Sequence, residues 1–207
     1  PDKRVALWDI TFENDSLKGE TDQPLVYKQL IEEMEAAEIK FINAVKQLPA
    51  TALGNQTKAL VTISVANIRS QPKHSAELAT QALMGTPLTV LTEDDGWFLV
   101  QTPDQYLAWV DRAGIQLLSE DELEAWFRAP KLVFTDLVGY VWKTADGKEM
   151  VSDLVAGDIM TIENESSSHY FISLPDARKG WVSKSQSQLW ESWIANRNTS
   201  PESLIST

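Results

Sequence analysis

Apolar and polar residues alternate along most of this chain, and alternation of that kind predicts strands. From Arg4 to Phe12, Val5 and Leu7 fall on one parity, with Ala6, Trp8, Ile10 and Phe12 on the other. A strand of that pattern is covered on both faces. Glu13-Asn14-Asp15-Ser16 is a turn cluster, and Leu17 to Thr21 is its hairpin partner. The period then changes. Leu30, Met34, Ala37 and Phe41 recur at three to four residues, with Ile31, Ile42, Val45 and Leu48 widening the stripe. This predicts a helix capped by Thr21 or Asp22, with Pro24 in its first turn, ended by Pro49 and Gly54. Glu32, Glu33, Glu35 and Glu38 form its solvated face. Residues 1–57 therefore read as a β-β-α head, with Leu60 to Ile63 as a strand that could complete it.

Alternation resumes after residue 58. Strands are expected at Leu60 to Ile63, from Val65 into the turn before Pro72, at Ala79 to Ala82, Leu88 to Leu91, Trp97 to Thr102 and Leu107 to Val110. Turns at Met84-Gly85-Thr86-Pro87, Glu93-Asp94-Asp95-Gly96 and Pro103-Asp104-Gln105 separate the later ones. Short strands at this spacing predict a small barrel over residues 58–119. The module recurs. A shift of 72 residues carries Gly85 onto Gly157, Pro103 onto Pro175, Asp104 onto Asp176, Trp109 onto Trp181 and Val110 onto Val182. The shift needs no gap from Ala66/Val138 to Val110/Val182. A second barrel is thus expected over residues 132–189.

Ser119 and Glu122 have capping-box spacing and open a connector helix, assigned to residues 120–131, through Leu123, Trp126 and Phe127. Trp190 to Ile194 is expected as a short helix or turn, and Asn196 to Thr199 as a polar linker. Ser200-Pro201-Glu202 then reads as a helix start. Residues 190–207 are accordingly expected to lead towards a further domain. The fold class is mainly β, α+β overall: a β-β-α unit and two small β-barrels with short connecting helices.

Composition narrows the chemistry. The net charge of −12, with no basic run, argues against nucleic acid and anionic surfaces and favours a ligand with a free amine. No stretch is long and apolar enough for a membrane span. The chain has no cysteine, which removes thiol catalysis and cysteine zinc sites. Its two histidines, His74 and His169, lie in different repeats, so no metal and no cofactor is expected. No phosphate loop or nucleophile elbow occurs, and no catalytic residue is assigned.

Val65-Ala66-Asn67-Ile68-Arg69-Ser70-x-Pro72, Ala79-Thr80-Gln81-Ala82-Leu83-x-Gly85, Gly96-Trp97-x-x-Val100 and Tyr106-x-x-Trp109-Val110 resemble bacterial SH3 (SH3b) domains. More narrowly, the chain is similar to the tandem SH3b region that precedes the catalytic domain of NlpC-type cysteine peptidases. The resemblance covers about Lys58 to Leu189. It implies an exported protein of the periplasm or cell envelope. This chain would be its non-catalytic, cell-wall-targeting and substrate-shaping part. The partners implied are a peptidoglycan stem peptide and a C-terminal peptidase domain cutting between D-glutamate and the diamino acid. The resemblance also implies that Tyr106 helps to hold the free amino end of the stem peptide. An acid before the Thr-Gln pair would meet that amine. Ala79 stands directly before Thr80 here, so the role moves to Glu77 or Asp104.

Each candidate has an ordinary alternative. Tyr106 has Arg178 as its repeat equivalent, so folding does not demand a tyrosine there, and an exposed turn residue is the alternative. Trp97, whose equivalent is His169, reads as barrel packing or as the flank of a ligand groove. Asp104 recurs as Asp176 and reads first as a turn-former. Trp109 and Trp181 read as packing residues. The substrate-binding candidates are therefore Tyr106, Glu77, Asp104 and Trp97. A stand-alone SH3b protein that binds peptidoglycan or a partner protein is the rival function.

Overall fold

The computed structural model describes residues 4–196. The helix start expected at Ser200 and most of the linker before it lie outside the described residues. The chain divides into two compact units. One comprises Pro1–Leu60, Asn67–Ala82 and Thr86–Leu123; the other comprises Val61–Ala66, Leu83–Gly85 and Glu124–Thr207.

The head is a three-stranded sheet with one helix. Strands β1 (Trp8–Glu13) and β2 (Ser16–Thr21) form the expected antiparallel hairpin. Asn14 and Asp15 turn it, both at positive φ. The helix is shorter than its apolar stripe predicts. Helix α1 covers Pro24–Ala36, and Glu38 at φ +53° breaks it. Ile42, Val45 and Leu48 belong instead to strand β3 (Ile42–Gln47) and its exit, with β3 running parallel to β2. In sequence, that strand and a continuing helix stripe carry the same residues; pairing with β2 decides between them. The head is thus completed by β3 and not by Leu60 to Ile63. Neither expected side chain caps α1. Thr21 takes the Gln23 amide on its Oγ1 at 3.0 Å, and Asp22 takes the Leu7 amide at 2.9 Å. Leu17, Tyr27 and Met34 form the buried core, with Trp8, Ile10, Leu30 and Phe41 against it.

The first repeat contains β4 (Lys58–Val61), β5 (Val65–Arg69), β6 (Leu78–Leu83), β7 (Pro87–Asp94), β8 (Trp97–Gln101), β9 (Leu107–Asp111) and β10 (Ile115–Leu118). The second contains β11 (Lys131–Phe134), β12 (Val138–Trp142), β13 (Met150–Val155), β14 (Ile159–Glu165), β15 (His169–Ser173), β16 (Lys179–Ser183) and β17 (Ser187–Leu189). Helix α2 (Glu120–Arg128) connects them, and α3 (Trp190–Ala195) follows. The sheet orders are β6-β5-β9-β8-β7-β4-β10 and β13-β12-β16-β15-β14-β11-β17, identical strand for strand. Even the register shift recurs, between Val90 and Thr92 in one and Ile162 and Asn164 in the other. Each sheet is open in its hydrogen-bond order, so the modules are SH3-like but not closed barrels. A strand that the turn spacing did not reveal, β10 or β17, ends each order after a short 3-10 turn.

The uninterrupted 72-residue offset holds from β6 onward but not for β5. Ala66 and Ile68 face the core, and their counterparts are Gly139 and Val141, which are 73 residues away. An offset of 72 would place Ala66, 1% exposed, on Val138, 61% exposed. A slip of one residue turns a strand over, so burial fixes the register. The missing residue lies in the loop before β13, which is one shorter than the loop before β6.

The two outer faces differ. At the outward positions of β8, Trp97 and Leu99 are buried, whereas their counterparts in β15, His169 and Phe171, are half-buried. The head explains the difference at Leu99. Leu7, Leu48 and Ala50 pack with Leu91, Leu99, Leu107 and Trp109 on the outer face of the first repeat. The Ala50 amide bonds the Leu91 carbonyl, and the Leu107 amide bonds the Arg4 carbonyl, both at 2.7 Å.

Candidate functional site

The candidates sit on the β8–β9 hairpin and the loop beside it. Strands β8 and β9 pair from Trp97↔Asp111 to Gln101↔Leu107. Residues 102–106 close the hairpin. The Thr102 amide bonds the Tyr106 carbonyl at 3.0 Å, and Thr102 Oγ1 accepts the Tyr106 amide at 3.1 Å. Thr102 Oγ1 also donates to the Asp104 carboxylate. Gln105 stands at φ +70°, and its amide bonds the Thr102 carbonyl at 2.8 Å. Asp104 is therefore a turn-former, with its outer edge still exposed to solvent. Tyr106 is half-buried, and its phenol has no hydrogen bond among the described residues. It offers an apolar ring and an unused polar tip, as a ligand-lip residue would. A shallow cleft beside this turn is lined by Lys58, Pro87, Thr89, Gln101, Pro103 and Gln105, among others.

Trp97 lies at the other end of the hairpin. It stands four residues from Gln101 along β8, about 13 Å at strand rise. It is 8% exposed, and the edge of His74 covers it with ring centroids 5.0 Å apart. His74 Nε2 also reaches Asp111 Oδ2 at 3.4 Å. Glu77 belongs to that same loop. Its carbonyl accepts the Ser70 amide at 3.0 Å, and Arg69 bonds the neighbouring Ala76 carbonyl at 2.8 Å. The Glu77 side chain is exposed. The structure thus brings Tyr106 and Asp104 together in one turn. It places Trp97 at the far end of the hairpin, beside the loop that carries Glu77.

His74 and Asp111 were missed as neighbours of Trp97. Sequence held a partial signal for them, since Asp111 stands one residue beyond the repeated Trp-Val pair. The loop that swings His74 onto the ring has no pattern of its own. In the second repeat the turn is filled differently. Arg178, the Tyr106 equivalent, bonds Asp176 at 2.6 Å, the Val151 carbonyl at 2.8 Å and the Thr62 carbonyl at 3.3 Å. That side chain is spent on structure, and the Tyr106 phenol is not. Among the described residues no group of three or more His, Asp or Glu could hold a metal ion. No helix of the described residues is long and apolar enough to cross a membrane.

Residues 68–115 match the family model of the bacterial dipeptidyl-peptidase SH3 domain. The matched stretch contains Glu77, Trp97, Asp104 and Tyr106, all four candidates of this SH3 repeat. Among solved structures, an NlpC/P60 family protein from Bacillus cereus ATCC 10987 is similar at TM-score 0.52 and 18% identity. The likeness covers 64% of this chain and 56% of that one. An NlpC/P60 endopeptidase from Photobacterium damselae subsp. piscicida aligns at TM-score 0.49 and 17% identity, over 69% of this chain and 35% of that one. The first likeness shows a shared fold. The chain spans little more than half of the one structure and about a third of the other. No curated protein matches the chain.

Proposed function

We propose that this chain is the non-catalytic, substrate-shaping SH3b region of an exported peptidoglycan stem-peptide endopeptidase of the NlpC type. The observation that carries this reading is the bacterial SH3 match over residues 68–115, which includes a turn whose tyrosine has an unspent phenol. The chain itself contributes no thiol nucleophile, because it has no cysteine. Its organisation on this reading is a head over residues 1–57, SH3 repeats over 58–119 and 132–189 with a connector at 120–131, and 190–207 leading to a peptidase domain. The protein works in the periplasm or cell envelope.

Tyr106 forms the lip of the substrate cleft and packs on the amino end of the stem peptide. Asp104, held in the same turn, is the acid placed to meet the free amine, and the net charge of −12 draws a cationic group towards it. Trp97 serves a more distant part of the ligand, since the hairpin holds it at its other end, and Glu77 is a second acid on the loop beside the hairpin.

The test is a titration of the chain with the tripeptide L-alanyl-γ-D-glutamyl-diaminopimelate, followed by amide and side-chain NMR. Shifts of residues 102–106 with the free-amine peptide, lost on N-acetylation and in Tyr106→Ala, are the expected result. Equal binding of the acetylated peptide, or binding unchanged in Tyr106→Ala, overturns the assignment.

A further inference from the structure

Among the described residues, the outer face of the second repeat carries a row of side chains that point away from its buried core. On β12, Val141 points into the core, so Tyr140 and Trp142 point outward. On β15 and β16, Ile172 and Val182 are core, so His169, Phe171, Trp181 and Ser183 point outward. Pairing aligns them. Met150 lies opposite Trp142, Trp142 opposite Trp181, and Trp181 opposite Phe171. Phe171 and Trp181 have ring centroids 5.0 Å apart, and Tyr140 and Trp142 5.4 Å. The next row along the strands places Tyr140 and His169 on either side of the small Ser183, which pairs with His169. The result is a shallow trough with aromatic walls and a hydroxyl floor. Tyr140 is 42% exposed and Met150 60%.

The corresponding face of the first repeat shows what this surface is not built for. There Leu91, Leu99 and Leu107 meet the aliphatic Leu7 and Leu48 of the head. At those positions the second repeat has Glu163, Phe171 and Lys179, and Lys179 pairs with Glu163 at 2.9 Å. An aliphatic cover would have to desolvate that ion pair, at a cost its Coulomb attraction does not recover. One leucine has been exchanged for an aromatic ring and two for a charged pair at its rim. Such a surface suits a ligand with one apolar face and an edge of hydroxyls. A pyranose ring has that form: its C–H face stacks on an aromatic ring, while its hydroxyls bond serine, lysine and carboxylate groups.

We infer that the outer face of the second repeat is a saccharide-binding site, with Trp142, Trp181 and Phe171 as the stacking platform. Tyr140 and His169 form the walls of the trough, and Ser183, Lys179 and Glu163 bond the hydroxyls. The ligand class is an uncharged or N-acetylated β-linked hexose chain. This site lies in the other repeat from the Tyr106 turn and does not rest on the stem-peptide reading.

The test uses the chain with the β-1,4-linked tetramer of N-acetylglucosamine, observed through tryptophan indole N–H signals. The expected result is a shift of the Trp142 and Trp181 signals, with affinity reduced about tenfold in Tyr140→Ala and again in Phe171→Leu. Phe171→Leu installs the residue that the first repeat carries at the same place, so the fold tolerates it. Three outcomes overturn the inference. One is the absence of any indole shift at millimolar tetramer. Another is a shift that both variants retain. The third is a shift reproduced by raising the protein concentration without sugar, which would mark the face as a contact between copies of the chain.

Discussion

The Asp158 carboxylate accepts the Met84 amide at 3.1 Å and the Val155 amide at 2.8 Å, and the residue is wholly buried. Burial pushes its pKa up to about 7; the two amide bonds oppose the rise, and the nearby Asp153 adds to it. In the unfolded chain the group titrates near its ordinary value of 3.8. Between those values the folded state holds a proton that the unfolded state has lost. Stability from this group is therefore fully present below about pH 4 and declines until about pH 7. Asp158→Asn is expected to lose this part of the pH dependence. Urea denaturation of both proteins across that range measures it, and parallel stability curves would contradict it.

Gly85 and Gly157 occupy equivalent turns but tolerate a side chain differently. Gly85 has φ +82°, and a Cβ there would lie 2.6 Å from the Ile159 carbonyl oxygen and 2.9 Å from Ile159 Cβ. Gly157 has φ +99°, but its Cβ would meet only the Leu83 Cδ1, the movable end of a side chain, at 2.7 Å. Both alanine variants bear the left-handed backbone strain, of about 1–2 kcal/mol. Gly85→Ala adds a clash with backbone and is expected to lose about 3 kcal/mol or more. Denaturant midpoints rank the two; equal losses would show that the backbone at Ile159 moves freely.

Ser119 and Glu122 form the capping box that their spacing predicts. Glu122 accepts the Ser119 amide at 2.7 Å and its hydroxyl at 2.9 Å, while Ser119 Oγ accepts the Glu122 amide at 3.3 Å. Those Ser119 bonds hold the Glu122 carboxyl below the usual range. Ser119→Ala is expected to cost about 1 kcal/mol, read as a lower denaturation midpoint. The Glu122 carboxyl should then rise only part of the way to its ordinary titration, observable by NMR, because the Ser119 amide, the larger cause, remains.

The strand content, most turns, the capping box and the existence of two copies were legible because each rests on local pattern. Alternation located β6, β8 and β9 within a residue or two, and the repeat offset identified the second copy of the module. What failed was non-local. The Ile42 to Gln47 segment extends a helix-period stripe and becomes a strand only because β2 offers it a parallel partner. The extra residue before β6 is invisible until burial shows which side of β5 faces the core. The site was legible in part for the same reason. Asp104 and Tyr106 are neighbours in sequence and share a turn, whereas the contact of Trp97 with His74 is made by a loop of no regular pattern.

The head–repeat contact offers a test of why only one outer face is covered. Leu48 is 7% exposed and packs in a cluster with Leu91, Leu99 and Trp109. Truncation to alanine removes most of that contact and leaves a cavity, because the Ala50–Leu91 backbone bond still fixes the segment. Leu48→Ala is expected to lose about 2–4 kcal/mol, within the usual range for a buried leucine. Labelling the protein with fluorotryptophan separates the local effect from the global one. The Trp109 signal should move, since its neighbour is gone, while Trp181, which packs on Phe171, should keep its position. A Trp109 signal that stays in place would mean that the first repeat forms its outer face without help from the head. In that case the aliphatic residues at Leu91, Leu99 and Leu107 would need another explanation than burial beneath Leu7 and Leu48.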